Sequence, residues 1–225
     1  GVIAEEMAHL PEEVKNKIAV VMFDTMGIFW TMRYENLKDE DLLESWNLQK
    51  KSLSIDIYTP AGYFNEYKEK GIPADYSFTL NPSELSAADW CAAFEIQPLE
   101  PLGILIENVL ANLRKKTENY DIENIISEIS KNEKTEKNVK QAAESLFSAA
   151  ISWGIFSKNA TPIKEIFEGG KVSVIDVSAY KEWNVKNLVI GLVCKKLMQE
   201  RIVARKKEEL EDVKKGHSYF EITSE

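Results

Sequence analysis

Histidine and cysteine are scarce in this 225-residue chain, which holds only His9, His217, Cys91 and Cys194. No soft ligands cluster at metal-binding spacing, so no zinc site is expected and no metal ligand is assigned. The two cysteines lie far apart in apolar helical patterns, which predicts reduced core thiols in a cytoplasmic protein. Long apolar runs are missing too. None approaches the roughly 18 residues needed to span a bilayer, and the first residues are not laid out as a secretory signal, so no membrane contact is expected. The glycine-built motifs are also absent. There is no G-x-S-x-G nucleophile elbow, no G-x-G-x-x-G dinucleotide loop and no G-x-x-x-x-G-K-[ST] phosphate loop. Gly169-Gly170-Lys171 precedes a strand pattern instead of opening a helix, the wrong context for cradling phosphates.

What remains is an ordinary globular composition, 44% hydrophobic and 29% charged, with a net charge of −9. The charge is uneven. Residues 1–170 carry 17 basic and 28 acidic side chains (−11), and residues 171–225 carry 11 and 9 (+2). The acidic balance argues against a nucleic-acid coat over the whole surface, though it leaves room for a local basic contact near the end of the chain.

The stretch KIAVVMFDTMGIFW (17–30) ends a β-branched and aromatic run in Asp24, with Gly27 three residues on. This is the pattern of a buried parallel strand delivering a carboxylate to the carboxyl edge of an α/β sheet. Further strands are expected at 52–58, where Leu53, Ile55 and Ile57 alternate with polar residues, and at 76–80. A fourth, around Val172 to Val177, also carries an acid near its end, Asp176. Ser86 with Asp89 has capping-box spacing, and Asp121 is expected to cap another helix. Residues 99–153 read as helical throughout, with stripes at Leu99, Leu102, Ile106, Val109 and Leu113 and again from Val139 to Trp153. A last helix is expected over 187–213, apolar in its first half and charged in its second. GVIAEEMAHL has helical spacing without a preceding cap. That fits either a trimmed terminus or a helix whose start lies upstream.

The order of these pieces resembles the interior of the HerA-type ATPases, in the HerA/FtsK branch of P-loop motors. The resemblance rests on Asp24-Thr25-Met26-Gly27-Ile28-Phe29 closing a strand, on Asn81–Leu85 before a helical insertion, and on Val172–Ser178 before a long helix ending in Arg and Lys. It implies a partial RecA-like P-loop ATPase sheet with an inserted α-helical subdomain. Residues 1–98 would be the first part of the α/β core, 99–168 the insertion, and 169–225 the second part with the long helix. It implies ATP and Mg2+ for the full-length protein, a homo-oligomer such as a hexamer, and DNA and a nuclease as partners. The phosphate-binding loop is expected just upstream of Gly1 and the acidic strand just downstream of Glu225. No residue here matches the family's phosphate-binding lysine or metal-binding carboxylate, so no catalytic residue is named and the chain alone is expected to be inactive.

Asp24, Gly27 and Asp176 are the candidate residues beside the nucleotide. The alternative for Asp24 is a strand-end acid that satisfies turn amides, and Gly27 suits a positive-φ turn. Arg201 and Arg205, at i,i+4, are candidate subunit-interface arginines, with pairing to Glu208 and Glu209 as the alternative. Arg33, beside Trp30 and Tyr34, is a comparable outlier. The competing function is a non-catalytic α/β scaffold that oligomerises through its helical insertion and charged C-terminal helix.

Overall fold

A computed structural model describes residues 2–214. In chain order the elements are α1 (Val2–Ala8), α2 (Glu12–Lys15), β1 (Val20–Asp24), a 3-10 turn (Phe29–Arg33), α3 (Glu40–Ser45), β2 (Asp56–Pro60), α4 (Ala61–Glu69), β3 (Tyr76–Phe78) and a second 3-10 turn (Pro82–Glu84). There follow α5 (Ala87–Phe94), α6 (Pro101–Lys116), α7 (Ile122–Ser130), α8 (Lys137–Ser152), α9 (Ile163–Ile166), β4 (Val172–Asp176) and α10 (Trp183–Lys214). The fold is mixed α/β. Its four strands are all parallel, in the order β1-β4-β2-β3.

Alternation along the strands divides the core. Phe23, Ile175, Val177 and Tyr58 face a thick layer of helices that includes α5 to α8 and the first half of α10. Val20, Met22, Val172, Val174 and Ile57 face the other way, against Ala4 of α1 and the Phe29–Arg33 turn, where only six buried residues form the cluster. At the centre of the thick layer Trp90 stacks on Phe94 at 5.4 Å and meets Phe147 edge-on at 4.9 Å.

Both predicted helix starts hold. Ser86 and Asp89 form a reciprocal capping box, and so do Asp121 and Asn124. The three helical stripes read over 99–153 correspond to α6, α7 and α8. Pro101 starts α6 at its first position, so Leu99 lies before the helix and is 90% exposed instead of joining the stripe. The strands also shift. β2 starts at Asp56, since its β4 partners begin at Ser173, leaving Leu53 and Ile55 buried but outside the ladder. β3 stops at Phe78, because Leu80 leaves to bridge Phe156 and to donate its amide to Ile155. Both cysteines are free thiols, and Cys91 is buried as expected. Cys194 is exposed, on the outer side of α10, so it is not a core thiol. α10 begins at Trp183, one turn earlier than its periodicity suggested.

Candidate functional site

β1 and β4 run in register from Val20↔Val172 to Asp24↔Asp176, so the two strand-end acids sit side by side at the carboxyl edge of the sheet. Two-residue alternation puts both on the thinly covered face, continuing the series Val20, Met22 and Val172, Val174. Asp24 is 2% exposed and Asp176 4%.

The Asp24 carboxylate organises the turn that follows it. Oδ1 accepts the amides of Met26 (3.1 Å) and Gly27 (2.7 Å), and Oδ2 accepts the amide of Phe29 (2.7 Å). Gly27 has φ +71°, a backbone that favours glycine, and a Cβ there would lie 2.7 Å from Ser178 Oγ and push that hydroxyl aside. The Gly27 carbonyl accepts Trp30 Nε1 at 2.9 Å, which starts the 3-10 turn. Asp176 Oδ1 accepts the Ser178 amide at 2.8 Å. Burial raises the Asp176 pKa above the ordinary carboxylate value; the bonds from Ser178 and the charge of Lys186 oppose this, and the charge of Asp24 adds to it.

Two further residues belong to the same edge. Lys186, in the first turns of α10, is 9% exposed; its Nζ donates to the Thr25 carbonyl at 2.9 Å and lies 5.0 Å from the centre of the Trp183 ring. Thr59 is fully buried, shares the face of Ile57, and lies one ladder step beyond Tyr58↔Ile175, which sets it beside Asp176. Its hydroxyl has no partner. Among the described residues the buried polar side chains are Asp24, Thr59, Ser173, Asp176 and Lys186, and of these only Ser173 lies away from this edge. Ser173 satisfies itself on the Ile166 carbonyl at 2.7 Å.

The structure thus brings Asp24, Gly27 and Asp176 together. It does not bring the arginines to them. Arg201 and Arg205 lie on the outer half of α10, Arg201 about 22 Å along the helix from Lys186. Arg201 binds Glu208 through both terminal nitrogens (2.7 and 3.2 Å), and Arg205 approaches Glu208 (3.6 Å) and Glu209 (3.2 Å). Arg33 turns inward as a brace, donating to the Ile55 carbonyl at 2.8 Å and pairing with Asp75. Sequence reasoning missed Thr59 and Lys186. A lysine flanked by Val185, Leu188 and Val189 at the start of an apolar helix was the available signal for Lys186; for Thr59 there was none without the strand register.

The model of the helicase HerA central domain matches residues 1–197. The chain belongs to the HerA helicase central-domain family. No curated protein matches it. Membership makes it part of an ATPase- or helicase-like motor, a setting in which full-length proteins use nucleotide and metal. Both Asp24 oxygens are engaged by backbone amides, and among the described residues no group of three or more His, Cys, Asp or Glu could hold a metal ion. Nor is any helix among them long and apolar enough to cross a membrane.

Proposed function

We propose that this chain supplies the sheet edge and helical layer of an ATP-hydrolysing, HerA-type DNA translocase, working as a homo-oligomer such as a hexamer, with a nuclease as a possible partner. The phosphate-binding loop and the magnesium ligands come from residues outside these 225. In this reading residues 1–98 and 169–225, of which 215–225 lie outside the described residues, are the two parts of the core, and 99–168 is a helical insertion. Asp24, Gly27 and Asp176 support the nucleotide from behind: the carboxylate fixes the turn, and the turn fixes the edge on which the loop rests.

The observation that carries this reading is the gathering of Asp24, Asp176, Lys186 and Thr59 at the carboxyl edge of a parallel sheet, where α/β proteins bind their ligands. Burying charge is costly unless it is paired or hydrogen-bonded, and among the described residues the buried polar side chains other than Ser173 all lie at this edge. The test compares the 225-residue chain with the protein that also carries its phosphate-binding loop. The chain alone is expected to show no ATP turnover. The longer protein is expected to hydrolyse ATP and to bind DNA with an affinity that falls steeply as salt rises. Turnover by the chain alone, abolished by Asp24→Ala, would overturn the assignment. A longer protein that assembles but neither hydrolyses ATP nor binds DNA would be the scaffold instead.

A further inference from the structure

Lys186 is buried, yet among the described residues its ammonium forms no ion pair. Further along the same helix Lys195 and Lys196 pair with Asp89 and Glu84 at 2.7 and 2.8 Å. Lys186 instead gives its hydrogen bond to a main-chain oxygen, the Thr25 carbonyl, from 161 residues away in sequence. Trp183, one turn earlier on the same face of α10, lays its ring against the ammonium and is itself 61% exposed, so it screens the charge from water. The root of α10 is fixed as well. Val185 and Val189 are buried in the thick layer, and Asn184 donates its side-chain amide to the Ala93 carbonyl of α5 at 2.6 Å. The ammonium therefore sits at a set point relative to the sheet.

The turn after β1 is held in three ways. Asp24 gathers the amides of Met26, Gly27 and Phe29, and Trp30 takes the Gly27 carbonyl. Those ties are local and give the turn its shape. The tie from Lys186 comes from another element, so it sets where the whole turn sits. A charged donor suits this place, because Asp24 and Asp176 are both buried at the same edge. The Lys186 charge favours the ionised form of Asp176, which burial and the neighbouring Asp24 oppose.

We propose that Lys186 is the positioning residue of the Asp24 edge: through the Thr25 carbonyl it seats the 25–29 turn against α10, and so fixes where Asp24 meets the nucleotide site. Lys186 acts through the turn and does not touch the nucleotide. Its effect on turnover rests on the reading of that edge as serving nucleotide; the seating of the turn does not.

The test compares two variants in the protein that also carries its phosphate-binding loop. Lys186→Met keeps an apolar stem but removes the donors and the charge; Lys186→Arg keeps both. Without nucleotide, hydrogen exchange followed by mass spectrometry is expected to speed about tenfold or more over residues 25–29 in Lys186→Met, the scale of a lost hydrogen bond to a charged group, and to stay unchanged in β4. With ATP, kcat of this variant is expected to fall about tenfold or more while KM changes little, the pattern of groups displaced without loss of binding. Lys186→Arg is expected to recover both. Exchange that speeds everywhere alike or nowhere, or a Lys186→Arg protein that behaves as Lys186→Met does, would overturn the proposal. Faster exchange at the turn with full turnover, where Asp24→Asn still lowers turnover, would overturn the positioning role alone. Full turnover in Lys186→Met and Asp24→Asn alike would overturn the nucleotide reading and the positioning role with it.

Discussion

Asp24 shows how a strand-end carboxylate can matter through the backbone it gathers. Its three amide partners, on Met26, Gly27 and Phe29, would be left without acceptors in Asp24→Ala. The expected loss is about 3 kcal/mol in urea unfolding, the scale for hydrogen bonds to a charged group. Gly27→Ala would force a side chain onto a left-handed backbone and into Ser178 Oγ, costing about 1–2 kcal/mol by the same measurement. Asp176 behaves differently. Burial raises its folded pKa above the unfolded value, so the folded chain holds that proton more tightly. The stability this adds is full below the ordinary carboxylate pKa and is lost as pH rises through the folded one. Asp176→Asn is therefore expected to flatten that part of the pH–stability curve and to unfold at higher urea than the unaltered chain at neutral pH. At this scale the sequence pointed to Asp24, Gly27 and Asp176 through their places at strand ends. It pointed to neither Thr59 nor Lys186, because strand register sets Thr59 beside Asp176 and a tertiary contact across 161 residues holds Lys186 to Thr25.

Element boundaries follow from local chemistry where that chemistry is self-contained. The Ser86–Asp89 box closes within four residues and was readable as such; Ser86→Ala is expected to cost about 1 kcal/mol in thermal or urea unfolding. Strand limits were less legible, since a ladder begins and ends where its partner does. The Ser52–Tyr58 pattern correctly marked Leu53, Ile55 and Ile57 as buried, yet only Ile57 and Tyr58 of that run pair within the ladder after Asp56. α2, α3 and α9 are too short for periodicity to announce them. Trp90 ties α5 to α8 through Phe147 and to the β3 exit through Phe156 at 5.2 Å. Trp90→Ala is expected to cost about 3–5 kcal/mol and to lower the unfolding midpoint of sheet and helices together if they share one cooperative core.

For the molecule as a whole, the sheet separates a thick apolar layer from a thin one, and the buried charges collect where the thin layer meets the carboxyl edge. The order of motifs along the chain was enough to indicate the HerA family, because that order survives where each motif alone is soft. The role of the molecule turns on whether the Asp24 edge serves nucleotide chemistry. Asp24→Asn keeps the size of the side chain and an oxygen for the Met26 and Gly27 amides but removes the charge. In the protein carrying its phosphate-binding loop, the steady-state ATP turnover of this variant should fall by about tenfold or more, a barrier increase of about 1.4 kcal/mol, while it remains folded and assembled. Unchanged turnover in a folded Asp24→Asn protein would contradict the account and leave Asp24 as the keeper of a turn.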